Sequence, residues 1–150
     1  MTVTPTVRIE MDVASDRDIL WALLADLERW PDLLPHMLHL QCLARRGDKQ
    51  LVRTRERRAW WLATTVRSAI WVRAGERRLL RRYSGGVLES WSVEPLDAGC
   101  ARLRCEIVAA TAWGRIRTRL MIAPSAREMA GMLATLAAAD HLARSGALTA

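Results

Sequence analysis

The chain has 150 residues, half of them apolar (51%), and a formal net charge of +7 carried almost entirely by arginine, since Lys49 is the sole lysine. Such a length and composition suit one folded domain, expected to span residues 1–150, with enough apolar material for a core, and they exclude a disordered chain. No run approaches the roughly 20 apolar residues of a bilayer-crossing helix, and residues 1–6 lack the basic-then-apolar pattern of a secretory signal, so a cytoplasmic location is expected.

Val7, Ile9, Met11 and Val13 alternate with Arg8, Glu10 and Asp12, the period of a strand with one wet face. Ser15 and Asp18 then form a helix-start pattern, and Ile19, Leu20, Leu23 and Leu24 recur at helical spacing, predicting a helix over 16–25. Trp30-Pro31 breaks that helix, leaving room for a short second turn before Pro35. From residue 37 the character changes to β-rich runs over 37–45, 50–58, 60–73, 78–84, 87–94 and 101–111. Turn signals at Arg46-Gly47-Asp48, Ala74-Gly75-Glu76, Ser84-Gly85-Gly86 and Asp97-Ala98-Gly99 separate most of them, which reads as an antiparallel meander. The run 60–73 is long enough to hold a bulge or an unmarked bend. Over 114–123 the alternation of Arg115, Arg117 and Arg119 suits a strand, whereas Ile116 and Leu120 suit a helix that Pro124 kinks. Ser125 and Glu128 then mark the start of a long C-terminal helix with Met129, Met132, Leu133, Leu136 and Ala137 on one stripe, ending near Gly146.

A strand, two short helices, a meander and one long helix make an α+β pattern. The sheet has one face to bury and a single helix to cover it. A strongly curved sheet of about six to seven strands gripping that helix is expected to leave an apolar cavity with a few placed polar groups.

The residues 7–14, the helix segment Ile19-Leu20-Trp21, and above all the run from Asp26 to Pro35 containing Trp30-Pro31 resemble the START-like (SRPBCC, Bet v 1-like) superfamily, in particular its polyketide cyclase branch. The resemblance implies a helix-grip fold and binding of a hydrophobic, polyketide or lipid-like small molecule. Cyclase or dehydratase activity, or noncatalytic carriage of lipid or quinone, follows from different branches. The positions that line the pocket in such cyclases fall on Trp30, Trp61, Trp91, Thr65 and Arg67, and Leu34, Met129, Met132, Leu133 and Leu136 complete the implied wall. Met37 stands where the cyclases place a tyrosine, and Tyr83 is the one tyrosine present.

Alternation puts Trp61, Ala63, Thr65 and Arg67 on one face of their strand, and Val87, Glu89, Trp91 and Val93 on one face of theirs. If both sets point inward, Arg67 can hold a carbonyl oxygen or enolate, because guanidinium stays protonated and offers several donors, while Thr65 relays a proton. The alternative is an outward or structurally paired arginine and a threonine present for strand propensity. Trp60 and Trp61, being adjacent, face opposite ways in a regular strand, so one of them is exposed, lies under a loop or meets another subunit, which leaves monomer and homodimer both open.

His36 and His39 lack the acidic or cysteine neighbours of a metal site, and Cys42, Cys100 and Cys105 fit neither a disulfide framework nor a zinc knuckle. No metal and no cofactor are expected, since phosphate-cradling glycine loops are also lacking. Arg53, Arg55 and Arg57, joined by Arg78 and Arg82, predict a basic stripe on one sheet face: solvated, or attractive to an acidic acyl carrier protein or to ribosomal RNA. No DNA-binding motif is present.

Overall fold

The computed structural model describes residues 4–97 and 99–149, with side chains to residue 146. Residues 1–3 and Ala98, part of the expected turn at 97–99, lie outside the described residues.

Strand β1 (Val7–Val13) forms as its alternation predicts. Helix α1 (Arg17–Ala25) starts one residue later than the capping pattern implies: Asp16 is the N-cap and accepts the Asp18 N–H, whereas the buried Ser15 hydroxyl donates to the Asp16 carbonyl. After a 3₁₀ turn (Leu27–Arg29) the short helix α2 (Trp30–Leu33) carries Pro31 in its first turn, where a missing N–H leaves no bond unmade.

The meander follows as β2 (Met37–Arg46), β3 (Lys49–Ala59), β4 (Leu62–Arg73), β5 (Arg78–Tyr83), β6 (Val87–Asp97) and β7 (Cys100–Ala109). With β1 they form one seven-stranded antiparallel sheet in the order β1-β7-β6-β5-β4-β3-β2. The expected run 60–73 divides at its start, because Ala59 pairs with Leu62 and Trp60-Trp61 form the turn between β3 and β4. The β5–β6 turn needs Gly85 and Gly86, whose φ angles of 84° and 76° lie in the left-handed region that only glycine enters freely.

Residues 114–123 are helical. Helix α3 (Ala112–Arg117) is capped by the Thr111 hydroxyl, which accepts the Gly114 N–H at 2.9 Å, and it passes through a π-helical turn (Thr118–Ile122) into α4 (Ala123–Thr149). Gly114, Thr118 and Ile122, four apart, are the buried side of this segment, so the arginine alternation was a misleading signal. The Cβ that any other residue would carry at 114 would sit 3.0 Å from the Thr111 hydroxyl and 3.3 Å from the Gly85 carbonyl, which fixes α3 tightly over the β5–β6 turn. Ser125 does not start a helix as expected, because the chain is already helical there. Pro124 has no N–H to return to Leu120, and the π turn, in which the Ala123 N–H bonds the Thr118 carbonyl, meets that gap. The helix also runs through Gly146 to Thr149, past its expected end.

The core lies between the concave sheet face and α1 and α4. Leu20, Leu24, Trp30, Leu34, Leu79, Trp91, Leu103, Ile107, Met129 and Leu133 belong to one continuous buried cluster, with Met132 half-buried against it.

Candidate functional site

The inward residues of β6, Val87, Glu89, Trp91 and Val93, are all buried, as alternation predicts. On β4 the parity is reversed. Val66, Ser68 and Ile70 are buried and face the core, whereas Thr65 and Arg67 are exposed on the convex face, where Arg67 pairs in register with Arg53 and Thr65 with Arg55. Trp61, at the turn, is 68% exposed. Thr65, Arg67 and Trp61 are therefore not brought to Trp30 and Trp91. A strand placed one residue out of phase turns every side chain to the other face, and the unmarked Trp60-Trp61 turn produced that phase error.

Trp30, Leu34, Trp91, Met129 and Leu133 come together inside the grip as buried core and line none of the clefts found among the described residues, so side chains fill the space where an apolar cavity was expected, while Met132 and Leu136 stand half-exposed at its margin. The Trp30 indole donates to the Leu24 carbonyl at 3.0 Å, fixing α2 to α1, and the Trp91 indole donates to Glu89 Oε1 at 2.7 Å.

Around Trp91 lies a buried polar floor that the sequence did not reveal. Arg81 donates from Nε to Ser68 Oγ (2.9 Å) and from Nη2 to Thr54 Oγ1 (3.2 Å) and Glu56 Oε2 (3.1 Å). The Thr54 hydroxyl donates to the same Glu56 oxygen at 2.7 Å, and the Tyr83 hydroxyl donates to Glu89 Oε2 at 3.1 Å. The Tyr83 ring carries the Arg81 guanidinium 4.6 Å from its centroid and that of Arg117 at 5.6 Å.

Arg81 thus serves two buried carboxyls, with Arg58 Nη2 also 3.9 Å from Glu56 Oε1, and their protonation divides. Burial pushes Glu56 up, but Arg81, the Thr54 hydroxyl and Arg58 outweigh it and hold its pKa below the ordinary carboxylate value. Burial also pushes Glu89 up, and Arg81, Trp91 and Tyr83 offset only part of the rise. Against the penalty of burial, Tyr83, Glu56 and Glu89 raise the Arg81 pKa, so its charge is permanent.

The mouth of the grip is built at the other end of the Glu56 strand segment. A register shift near the end of β3 brings Arg58 inward, one-tenth exposed. Its Nε donates to Thr64 Oγ1 (3.0 Å), and its Nη1 donates to Ser125 Oγ (2.9 Å) and the Met121 carbonyl (3.3 Å), tying the β3–β4 hairpin to the π turn and α4. An arginine and a threonine hydroxyl do meet inside the fold, but they are Arg58 and Thr64.

His36 lies beside them. The Arg57 N–H donates to its carbonyl at 2.7 Å, which anchors the α2–β2 junction to β3. The imidazole is buried, yet its Nδ1 makes no hydrogen bond, and Glu128 Oε2 is 4.0 Å away, beyond bonding distance. Burial, joined by the Arg81 and Arg58 charges, lowers the His36 pKa more than Glu56 and Glu128 raise it, so the ring is neutral at pH 7. A cleft of about 310 Å³ opens here, lined by Pro35, His36, Arg57, Arg58, Ala59, Trp60 and Glu128. An unpaired buried nitrogen normally costs about 1–3 kcal/mol, so its place on a cleft marks a group able to meet a guest. Sequence reasoning weighed His36 only as a metal ligand and missed Arg58. The inward phase of β3, with Thr54 and Glu56 between arginines, was the available signal.

The predicted stripe of Arg53, Arg55, Arg57, Arg78 and Arg82 does lie on the convex face, extended by Arg67. Lys49 and Arg82 stack on Trp71 at 5.2 and 5.3 Å from its ring centroid. No helix among the described residues is long and apolar enough to cross a membrane.

No protein-family model matches the sequence, and no curated protein does. Solved structures match across most of the chain. The Zhui aromatase/cyclase from Streptomyces sp. R1128 is 19% identical, covers 87% of this chain and 92% of its own, and has a TM-score of 0.73. A START superfamily protein from Mycobacterium smegmatis is 16% identical over 87% of this chain and 95% of its own, at a TM-score of 0.69. Truncated norcoclaurine synthase from Thalictrum flavum is 16% identical over 87% and 91%, at 0.66. At such identities the likeness concerns the fold. With its seven-stranded sheet closed around a long C-terminal helix, the chain has a helix-grip fold that it shares with these solved structures.

Proposed function

We propose that the chain binds a hydrophobic, polyketide-like small molecule at the mouth of the grip, with a carbonyl or enolate oxygen of the guest between Arg58 and His36. The observation that carries this reading is the buried, unpaired His36 Nδ1 on a cleft that also holds the Arg58 guanidinium. The apolar body of the guest lies against Trp60, and Met129 and Met132, adaptable side chains next to and one turn beyond Glu128, are the wall that yields to it. Trp30, Leu34, Trp91, Leu133 and Leu136 back that wall.

The same placement serves an aldol-type ring closure. Arg58 holds the oxygen of one carbonyl, and neutral His36 takes the proton from the neighbouring carbon. The enolate carbon bonds to a second carbonyl carbon of the same chain, and the resulting alkoxide takes the proton back from His36. Thr65 and Arg67 have no part in this reading. The oxygen-holding role expected of Arg67 passes to Arg58, and the proton relay expected of Thr65 passes to His36.

A second reading, a carrier of lipid or quinone without chemistry, is favoured by Met37, a buried apolar side chain where the resembled cyclases place a tyrosine. Native mass spectrometry of the purified chain, paired with a turnover assay on a poly-β-ketone, separates the two. A co-purified isoprenoid or acyl lipid with no turnover supports the carrier. Cyclised product that disappears in His36→Phe supports the enzyme.

A further inference from the structure

Large apolar side chains protrude at the same end of the molecule as the mouth. Trp60 is 89% exposed on the β3–β4 turn, beside Trp61 and Leu62. Trp113, Ile116 and Leu120 form the outward stripe of α3 and the π turn, with Trp113 69% and Leu120 74% exposed. The two groups share one end, because Arg58 reaches from the end of β3 to the Met121 carbonyl, and Arg117 donates to the Ser84 carbonyl at the β5–β6 turn. Six exposed apolar side chains on two adjoining elements are far more than a scattered surface leaves in one place.

Charge selects the occupant. The sequence has no carboxylate from residue 57 to 75 or from 107 to 127, whereas these segments hold Arg57, Arg58, Arg67, Arg73, Arg115, Arg117, Arg119 and Arg127; Glu128, on the cleft beside Trp60, is the carboxylate that follows them. Arg57, Arg115 and Arg119 are exposed around the apolar groups. A second copy of this chain would bring like charges together, so the surface is built for an anionic partner. The exposed indoles of Trp60, Trp61 and Trp113 alternate with Leu62, Ile116 and Leu120, which have no face for a nucleic-acid base to stack on, and Trp with flanking arginine beside an aliphatic stripe matches the headgroup boundary of a bilayer.

We propose that the β3–β4 turn and α3 dock this chain on anionic lipid membranes, with Trp60, Trp61, Trp113 and Leu120 entering the interface and Arg57, Arg115 and Arg119 meeting the headgroups. Trp60 also lines the mouth cleft, so docking sets that cleft against the lipid phase. Docking shares Trp60 and Arg57 with the mouth cleft but needs no guest there, and it is tested separately.

The test is co-flotation with vesicles of phosphatidylcholine, with and without phosphatidylglycerol. The chain floats with the anionic vesicles and much less with the neutral ones. Arg115→Glu/Arg119→Glu lowers partition at least about tenfold, each cation near the surface being worth a sizeable factor. Trp113→Ser lowers it too, and brominated lipid quenches the emission of the unsubstituted chain. Thermal unfolding verifies that these exposed substitutions leave the fold intact. Binding of a hydroxyanthraquinone by Arg115→Glu/Arg119→Glu stays as in the parent chain, so failure at the mouth and failure of docking are distinguishable. No flotation, flotation insensitive to the substitutions, or binding to single-stranded RNA that vesicles do not displace overturns the proposal.

Discussion

At the floor of the grip, Arg81 has Ser68, Thr54 and Glu56 as partners and the Tyr83 ring against its guanidinium; at the mouth, His36 is also buried, less deeply, and its Nδ1 has none. Both regions place ionisable groups inside an apolar fold. The floor is a closed set, in which each buried polar atom is answered by another and Glu89 is kept toward its neutral form. The mouth is an open set beside a cleft. Polar groups that satisfy one another hold a sheet in shape, and groups left unsatisfied next to space are the ones a guest can complete.

The largest expected effect comes from breaking the closed set. Arg81→Leu strands the Glu56 carboxylate in the core and should cost about 3–5 kcal/mol of stability in denaturant unfolding. Arg81→Leu/Glu56→Leu, which removes both charges, should recover much of that loss; if it is no better than the single variant, the pair is not the unit described above. Arg58→Ala should cost less, about 1–3 kcal/mol, by unlinking the hairpin from Ser125 and Met121, while weakening guest binding at least about tenfold.

The pH response sharpens the contrast between the regions. His36 and Glu56 both have folded pKa values below their ordinary ones, so the stability they contribute is full above the unfolded values and is lost as pH falls through the folded values. Glu89, whose folded pKa is raised, acts in the opposite sense: its contribution is present at low pH and is lost as pH rises through the folded value. Melting temperature should therefore begin to fall as pH drops below about 6.5, the ordinary histidine value. In His36→Phe that first part of the fall should be absent and the later, carboxylate part should remain. The smallest effects are expected on the convex face: Arg67→Ala and Thr65→Val should each change stability by no more than about 0.5 kcal/mol.

How far the sequence could be read depended on whether each signal was local. Alternation in β1 and β6, the glycine turns and the stripe Met129, Leu133, Ala137 are local, and each gave its element and its face correctly. The phase of β4 is not local. It depends on where the preceding hairpin closes, and Trp60-Trp61 carry none of the glycine, asparagine or aspartate that usually announces such a turn. Closing the hairpin there puts Arg67 beside Arg53, a member of the stripe already assigned to the wet face. The composition of β4 held a second clue, since Arg67 and Arg73 share one parity while Val66, Ile70 and Val72 share the other. The floor was hidden for another reason. Glu56 and Arg81 come from strands separated by β4, and a run such as Thr54 to Arg58 reads as a solvated surface until the sheet is assembled. Likewise, the π turn that seats Pro124 has no sequence signature of its own.

The central claim is that the polar end of a guest is received at the mouth by Arg58 and not on the convex face by Arg67. Titrating a hydroxyanthraquinone against the parent chain, Arg58→Ala and Arg67→Ala by tryptophan quenching tests it most directly. The account predicts at least about tenfold weaker binding in Arg58→Ala, the loss of one charge-assisted hydrogen bond, with Arg67→Ala matching the parent. Weakened binding in Arg67→Ala with Arg58→Ala unaffected would contradict it.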